Sequence, residues 1–165
     1  MDRMAAWLTA EEQRAWRRTA AVFTLLPAAL DAQLQRDAGL TQFSYLVLAM
    51  LSEEPGRTMP MSELASMVSS SLSRLSHVVS RLEKQGWVSR EPCEGNGRVT
   101  MARLTDAGWE KVVATAPGHA EEVRRLVIDA VGPERIADLD AITGAILRRV
   151  DPGGKMRANP MSQGC

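Results

Sequence analysis

Apolar residues recur at three- and four-residue steps along most of this chain, a period that predicts a largely helical protein. The first helix should begin at Thr9, because Thr9 and Glu12 have the spacing of a capping box, and should end at Gly39. Thr41 can cap a second helix, which the Pro55-Gly56 pair closes. The N-terminal part of the chain is therefore predicted to be two consecutive amphipathic helices.

A different pattern of short elements occupies the middle of the chain. Residues 61–68 are predicted to form a short helix, and the three serines at 69–71 supply turn and cap chemistry. Residues 72–85 form a further helix, which should stop at Gly86, where a left-handed residue is common after a helix. This arrangement of two short helices around a serine turn is typical of a helix-turn-helix.

A β-hairpin is predicted to follow these two helices. Residues 87–90 alternate between polar and apolar side chains like a strand, and Asn96-Gly97 is a pair favoured in tight hairpin turns. Residues 98–104 then form the returning strand, and residues 58–60 are also expected to be extended. Together with the preceding helices, the hairpin describes a winged helix-turn-helix.

The C-terminal part is predicted to be helical again. Thr105 can cap a long helix, which the sequence predicts to be bent or broken near Pro117-Gly118. Residues 136–150 form a further amphipathic helix, and residues 151–165, rich in Gly and Pro, are expected to be a disordered tail. The predicted fold is therefore mainly α with a small two- or three-stranded β wing, a winged helix-turn-helix between N- and C-terminal helices.

The predicted helix over residues 72–85 has two chemically different faces. The apolar face consists of Leu72, Leu75, Val79 and Leu82. The opposite face carries hydroxyl, guanidinium, imidazole and ammonium groups at helical spacing: Ser70, Ser73, Arg74, His77, Arg81 and Lys84. Such a face suits the DNA major groove, where arginine makes paired contacts to guanine and serine contacts bases or phosphates. A solvated helix face is the alternative, which the neighbouring short helix and hairpin make less favourable.

Composition and charge change this picture only in part. The chain has 165 residues, of which 45% are hydrophobic and 24% charged, and these values fit one ordinary globular domain. A net charge of zero argues against a polyanion-binding protein as a whole. However, residues 70–103 carry six basic and three acidic side chains, so the positive charge lies where phosphate contacts would form.

Other protein classes find little support in the sequence. His77 and His119 are the only histidines, and neither has cysteines or carboxylates at the spacing of metal ligands. No phosphate-binding glycine loop is present, and no apolar run is long enough to span a membrane or to act as a signal peptide. We therefore expect a cytoplasmic protein with no cofactor, no metal and no enzymatic activity.

Residues from about Met61 to Val112 resemble the MarR family of bacterial transcriptional regulators. The segments that carry this resemblance follow the family's order and spacing: Ser62-Glu63-Leu64-Ala65, Ser80-Arg81-Leu82-Glu83-Lys84-Gln85-Gly86-Trp87-Val88, Asn96-Gly97-Arg98 and Leu104-Thr105-Asp106-Ala107-Gly108. The family's wing commonly has Asp-x-Arg, whereas here Asn96 replaces the acid and can form a hydrogen bond but no ion pair. The flanking amphipathic helices extend the resemblance to about residues 9–150.

The resemblance implies a homodimer that binds a palindromic operator in double-stranded DNA, most often as a repressor. It implies one domain over residues 1–150, in which the helices over about 9–38 and 106–150 dimerise and the winged helix over about 41–105 binds DNA. Two recognition helices would then enter successive major grooves about 34 Å apart. A winged helix that only contacts other proteins, or a small helical-bundle enzyme, is the alternative function.

The predicted DNA contacts divide into three groups by role. Bases would be read by Ser73, Arg74 and His77. Phosphates would be bound by Ser70, Ser71 and Arg81. The wing tip would consist of Asn96, Gly97 and Arg98, and the Arg98 guanidinium would enter the minor groove.

An effector site is a further implication of the resemblance, because family members often bind a small phenolic or anionic molecule between the dimer region and the winged domain. A small aromatic or anionic effector would then shift the population away from the DNA-binding conformation. The candidate pocket residues are Trp16, Phe43, Tyr45 and His119. A purely structural role is the alternative for each of them.

Overall fold

A computed structural model describes residues 7–156 of the chain. The N-terminal half contains α1 (Ala10–Ala38), α2 (Gln42–Glu53), β1 (Thr58–Pro60), α3 (Met61–Met67) and α4 (Leu72–Lys84). The C-terminal half contains β2 (Val88–Cys93), β3 (Asn96–Leu104), α5 (Asp106–Val123), α6 (Asp129–Val131) and α7 (Ile136–Val150). The fold is thus mainly helical with one small sheet, and the predicted fold class is confirmed.

Side-chain caps define the starts of the main helices, as the sequence predicts. The Thr9 hydroxyl accepts a hydrogen bond from the Glu12 backbone N–H at 3.2 Å, and the Glu12 carboxylate accepts one from the Thr9 N–H at 2.7 Å. Thr41, Ser71 and Thr105 cap α2, α4 and α5 in the same way, each accepting from the third helical N–H. The predicted N-terminal boundaries of these four helices are therefore confirmed.

The sheet is antiparallel and has the order β1-β3-β2. Met59 pairs with Ala102 and Val88 pairs with Leu104, so β3 lies between the two outer strands. The predicted hairpin turn at Asn96-Gly97 is wrong, because the turn residues are Glu94 and Gly95. Gly95 supplies the positive φ of 81° that the turn needs, and a register shift between Pro92 and Cys93 brings Cys93 opposite Asn96.

The core lies between α2, α3, α4, the sheet and the start of α5. Its largest fully buried side chains include Leu48, Met59, Leu64 and Leu75. The prediction that Leu72 belongs to the apolar face of α4 is wrong, since Leu72 is 52% exposed. Leu72 is the first residue of α4, directly after its cap, and Val78 fills the core from this helix instead.

The long C-terminal helix differs from its prediction near Pro117. The sequence predicts a bend or a break there, and the structure excludes the break, because α5 continues as helix through Pro117 to Val123. The neighbouring α1 packs against α5, and two residues after Pro117 the His119 Nδ1 atom lies 3.3 Å from the Gln33 side-chain oxygen. The irregularity comes later, as a π-helical turn over Arg124–Ile128 that leads into α6.

The described part of the predicted tail forms two turns. The backbone N–H groups of Lys155 and Met156 donate to the Asp151 carboxylate at 3.1 and 2.9 Å. The remainder of that predicted tail, residues 157–165, lies outside the described residues. None of the helices between residues 7 and 156 is long and apolar enough to cross a membrane.

Candidate nucleic-acid interface

The polar face of α4 is built on a capped and well-supported helix. The turn before α4 places Ser69 at a positive φ of 49°, and the Ser70 N–H donates to the Ala65 carbonyl at 2.9 Å. The Ser71 hydroxyl then accepts from the Arg74 N–H at 3.2 Å. Because Leu75 and Val79 are fully buried on the opposite side, α4 presents its polar face outward.

Five of the predicted DNA-contacting residues of α4 and its cap lie along one open cleft of about 780 Å³. They are Ser71, Ser73, Arg74, His77 and Arg81. Asp31 of α1 and Thr41 and Phe43 at the start of α2 form the other wall. Ser70 precedes the helix cap, where its hydroxyl donates to the Ser71 carbonyl at 3.3 Å.

The Arg74 guanidinium has an aromatic neighbour in this cleft. Its central carbon lies 4.6 Å from the centre of the Phe43 ring, a distance typical of a cation–π contact. Phe43 was predicted as an effector-pocket residue, and the structure places it beside the predicted base-reading arginine. The sequence separation of these two residues, on different helices, explains why no sequence pattern revealed the contact.

The wing tip presents the second group of predicted DNA contacts. The Asn96 side-chain oxygen accepts a hydrogen bond from the Arg98 backbone N–H at 3.3 Å, so Asn96 braces the wing without an ion pair. Gly97 and Arg98 are exposed. Arg98 lines a smaller cleft of about 280 Å³ between the wing and α4, together with Leu72, Ser76 and Arg90.

The positive charge of residues 70–103 is divided between paired and unpaired side chains. Arg90 forms an ion pair with Glu83 at 2.6 Å, and Arg103 forms one with Glu91 at 2.8 Å. Within residues 7–156 no ion pair is found for the other basic side chains of this segment, which are Arg74, Arg81, Lys84 and Arg98. Among the described residues, the basic side chains of this segment without an ion pair therefore lie on α4 and at the wing tip.

The candidate effector residues do not form one group. Tyr45 and His119 are half-buried with ring centres 4.8 Å apart, and His119 Nδ1 lies 3.3 Å from the Gln33 side-chain oxygen. Burial and the charge of Glu53 raise the pKa of Tyr45, and burial lowers the pKa of His119. Trp16 is 56% exposed on α1, and no ring contact joins it to Tyr45 or His119 among the described residues.

Chemistry of other kinds has little basis in the described part of the chain. No group of three or more His, Cys, Asp or Glu side chains within residues 7–156 could hold a metal ion. His77 lies in the α4 cleft beside Ser73 and Arg81, and the cleft lining also includes the carboxylate of Asp31 from α1. The guanidinium and hydroxyl groups of this cleft can bind anions and planar groups.

Comparisons with known proteins agree with this geometry. The profile of the MarR family matches residues 40–100. The crystal structure of Sco3205, a MarR family transcriptional regulator from Streptomyces coelicolor in complex with DNA, is 46% identical with a TM-score of 0.83, and the alignment covers 87% of this chain and 94% of Sco3205. AbsC, a MarR family transcriptional regulator from the same organism, is 40% identical with a TM-score of 0.84, covering 90% of this chain and 99% of AbsC.

More distant structures share the fold. CouR from Rhodococcus jostii RHA1, in a structure bound to p-coumaroyl-CoA, has a TM-score of 0.70 at 18% identity, with 82% of this chain and 90% of CouR covered. A comparison with curated protein sequences gave no match. The similarity to Sco3205 and AbsC extends over the helices on both sides of the winged helix as well as over the winged helix itself.

Proposed function

Because the chain belongs to the MarR family of transcriptional regulators, we propose that it binds double-stranded DNA sequence-specifically, as a homodimeric repressor on a palindromic operator. The observation that carries this proposal is the cluster of Arg74, His77 and Arg81 on the exposed face of α4, with Arg98 at the wing tip. The proposal assigns no catalytic step and places the protein in the cytoplasm.

DNA binding is supported by the chemistry of the α4 cleft and by the relative Sco3205, whose structure contains DNA. In the proposal, Ser73, Arg74 and His77 contact base edges in the major groove. Ser70, Ser71 and Arg81 contact phosphates, which fix the register of the helix on the duplex. At the wing, Asn96 and Gly97 shape the tip from which the Arg98 guanidinium enters the minor groove.

Dimer formation is supported by apolar surface that one protomer leaves uncovered. In α1 only the C-terminal part is buried, around Leu30 and Leu34, and α7 has no buried residue at all. The exposed large apolar side chains on these two helices are Trp16, Val22, Phe23, Leu25, Ile142, Ile146 and Val150. A second copy of the chain would remove this surface from water, which is the main driving force for obligate dimers.

An effector that releases DNA is the remaining part of the proposal. Tyr45 and His119 form a half-buried aromatic pair between α2 and α5, close to Gln33 of α1. These groups could stack on a small aromatic molecule and donate hydrogen bonds to an anionic group on it. Since α1 and α5 belong to the proposed dimer region, a molecule bound there would change the relation of the dimer to the winged helix.

The test begins with selection of a binding site from a random-sequence DNA pool by the wild-type protein. We expect an enriched palindrome, bound more tightly than a scrambled duplex at two salt concentrations. Arg74→Ala should relax base preference at a cost of about 1–3 kcal/mol, whereas Arg98→Ala should weaken binding more evenly across sequences. No enrichment and no binding at low salt would leave the alternative of a winged helix that contacts only proteins.

A further inference from the structure

Arg90 connects the wing to α4, the proposed recognition helix, through all three nitrogen atoms of its guanidinium group. Its Nε and Nη2 atoms donate to the Glu83 carboxylate at 3.0 and 2.6 Å, and its backbone N–H donates to the same carboxylate at 3.0 Å. Nη1 donates to the Ser76 hydroxyl at 3.1 Å, and Nη2 donates to the Ser80 hydroxyl at 2.9 Å. We call these four residues the Arg90 clamp.

The spacing of the acceptors explains what the clamp holds. Ser76, Ser80 and Glu83 follow four- and three-residue steps, so they share one face of α4 over about two turns. Arg90 belongs to β2, the first strand of the wing, and its side chain therefore lies along α4. The predicted base-reading residues Ser73, Arg74 and His77 line a different cleft and are left free of the clamp.

The clamp has the features of a structural contact rather than of a mobile surface ion pair. The side chains of Arg90 and Glu83 are only 30% and 28% exposed. Nε and Nη2 of Arg90 both donate to Oε2 of Glu83, and the Arg90 backbone N–H donates to Oε1, so the carboxylate is fixed in direction as well as in distance. The clamp also lies beside Arg98, because Ser76, Arg90 and Arg98 line the same small cleft between α4 and the wing.

We propose that Arg90 and Glu83 are positioning residues, which set the placement of the wing relative to the recognition helix so that Arg98 and Arg74 can engage one DNA site together. This inference rests on the proposed function and deepens it. It also reassigns Arg90, because the charge count along the sequence suggests a phosphate-binding cation. The two roles for Arg90 predict opposite effects of a substitution at Glu83.

Glu83→Gln separates the two roles by the sign of its effect. The substitution makes the DNA-binding segment more positive by one charge, so a free Arg90 would bind DNA more tightly through phosphate contacts. If the clamp positions the wing, the same substitution weakens binding to the specific site. Glu91→Gln is the matched control, because it adds the same charge and disrupts the ion pair with Arg103, which does not reach α4.

The measurement is the affinity of each variant for the duplex selected by the wild-type protein, given as a ratio to the wild-type affinity at the same salt concentration, and a scrambled duplex measures the sequence preference of the wild type. We expect Glu83→Gln to lower this ratio by about tenfold and Glu91→Gln to leave it unchanged or slightly raised, because Glu91→Gln adds a positive charge without changing the placement of the wing. A ratio that is unchanged or raised in Glu83→Gln overturns the proposal. If the wild-type protein itself shows no preference, the proposed function fails instead, so the two failures are distinguishable.

Arg90→Lys supplies a second test, in which Glu83 itself is not substituted. Lysine keeps the positive charge but lacks the planar guanidinium that reaches Glu83, Ser76 and Ser80 together, so the ratio should fall as it does in Glu83→Gln. The loss of affinity caused by Arg98→Ala should be at least about twofold smaller in the Glu83→Gln background than in the wild type. The loss caused by Arg74→Ala should be the same in both backgrounds. Wild-type affinity in Arg90→Lys, or additive losses for Arg98→Ala, would show that wing placement does not depend on the clamp.

Discussion

At the residue scale, the contact between Arg74 and Phe43 links the predicted base-reading side chain to a neighbouring helix. The guanidinium carbon lies 4.6 Å from the ring centre, on the wall of the α4 cleft that α2 provides. An arginine that is held against a ring loses less conformational freedom when it binds. Phe43 is therefore better understood through its effect on Arg74 than as part of an effector pocket with Tyr45 and His119.

Phe43→Leu tests this role, because leucine keeps an apolar side chain but removes the aromatic face. We expect affinity for the selected operator to fall by about two- to fivefold, in line with a cation–π contact of about 0.5–1 kcal/mol at an exposed site. Trp109→Leu is the control. It removes a similar contact with Arg57 at 4.2 Å, and neither Trp109 nor Arg57 lines the α4 cleft. Equal affinities for Phe43→Leu and wild type would contradict the role given to Phe43.

His119 predicts a pH dependence of stability. Burial lowers its pKa in the folded protein, so the unfolded chain binds a proton at higher pH than the folded chain does. His119 therefore makes its full contribution to the free energy of unfolding above about pH 6.5, the ordinary pKa of histidine. That contribution is lost as the pH falls below this value and through the pKa of the folded protein. The free energy of unfolding, measured by urea denaturation, should depend less steeply on pH between about 7 and 5 in His119→Gln than in the matched His77→Gln variant. Equal slopes in the two variants would contradict the prediction.

At the element scale, the junction between the wing and α5 depends on one glycine. A Cβ atom at Gly108 would overlap the backbone carbonyl oxygen of Trp87, and that carbonyl already accepts the Thr105 N–H at 3.0 Å. The Trp87 oxygen belongs to the backbone, and the backbone of residue 108 fixes the position of the Cβ atom, so no side-chain rotation can relieve this overlap. The close approach sets the distance between the base of the wing and the first turn of α5.

Gly108→Ala should destabilise the protein by about 1–3 kcal/mol or more, because overpacking here forces α5 away from the sheet. Gly118→Ala is the matched control in the same helix, where a Cβ atom meets only the Gln33 amide nitrogen at an ordinary 3.7 Å. That substitution should be neutral or stabilising by about 0.5–1 kcal/mol, since alanine is the better helix former. Urea denaturation measures both, and an equal effect of the two substitutions would contradict the role of Gly108.

Local signals in the sequence were sufficient for most of the elements. Helix caps act over three or four residues, so Thr9, Thr41 and Thr105 could be recognised from spacing alone. The hairpin turn was displaced because two glycine-containing pairs compete there, and the strand register, which is a tertiary property, selects Gly95. The order of the elements was therefore predictable, whereas the exact position of the turn was not.

The candidate site was less predictable than the elements, because its contacts join separate parts of the chain. The polar face of α4 follows from helical spacing within one segment. The Arg90 clamp joins a strand to residues seven to fourteen positions earlier, and the Phe43–Arg74 contact joins two helices. One sequence signal could have suggested the clamp, namely the helical spacing of Ser76, Ser80 and Glu83, but it does not identify Arg90 as the partner.

At the scale of the whole molecule, a net charge of zero coexists with a positive DNA-binding segment. Few basic side chains of that segment are without an ion pair among the described residues. Sequence-independent affinity for DNA, which depends on contacts with phosphates, should therefore be weak. In the proposed dimer, specific binding then depends on how two copies of the segment are held at the correct separation. The proposal therefore makes the dimer region as important for DNA recognition as the side chains proposed to contact the bases.

Phe23→Glu tests this dependence, because Phe23 is 59% exposed on α1 within the apolar surface proposed for the dimer. Burying a charge between two copies costs free energy, so the proposed dimer should dissociate towards the chain mass of 18.0 kDa in sedimentation equilibrium. Operator affinity should fall as the dimer dissociates, because a single protomer engages only one half-site.

Arg14→Glu is the control, and this variant should remain dimeric. Arg14 lies about two and a half turns before Phe23 and on the opposite side of α1. A dimeric Phe23→Glu variant with wild-type operator affinity would place the interface elsewhere, whereas a monomeric variant with unchanged affinity would show that recognition needs only one winged helix.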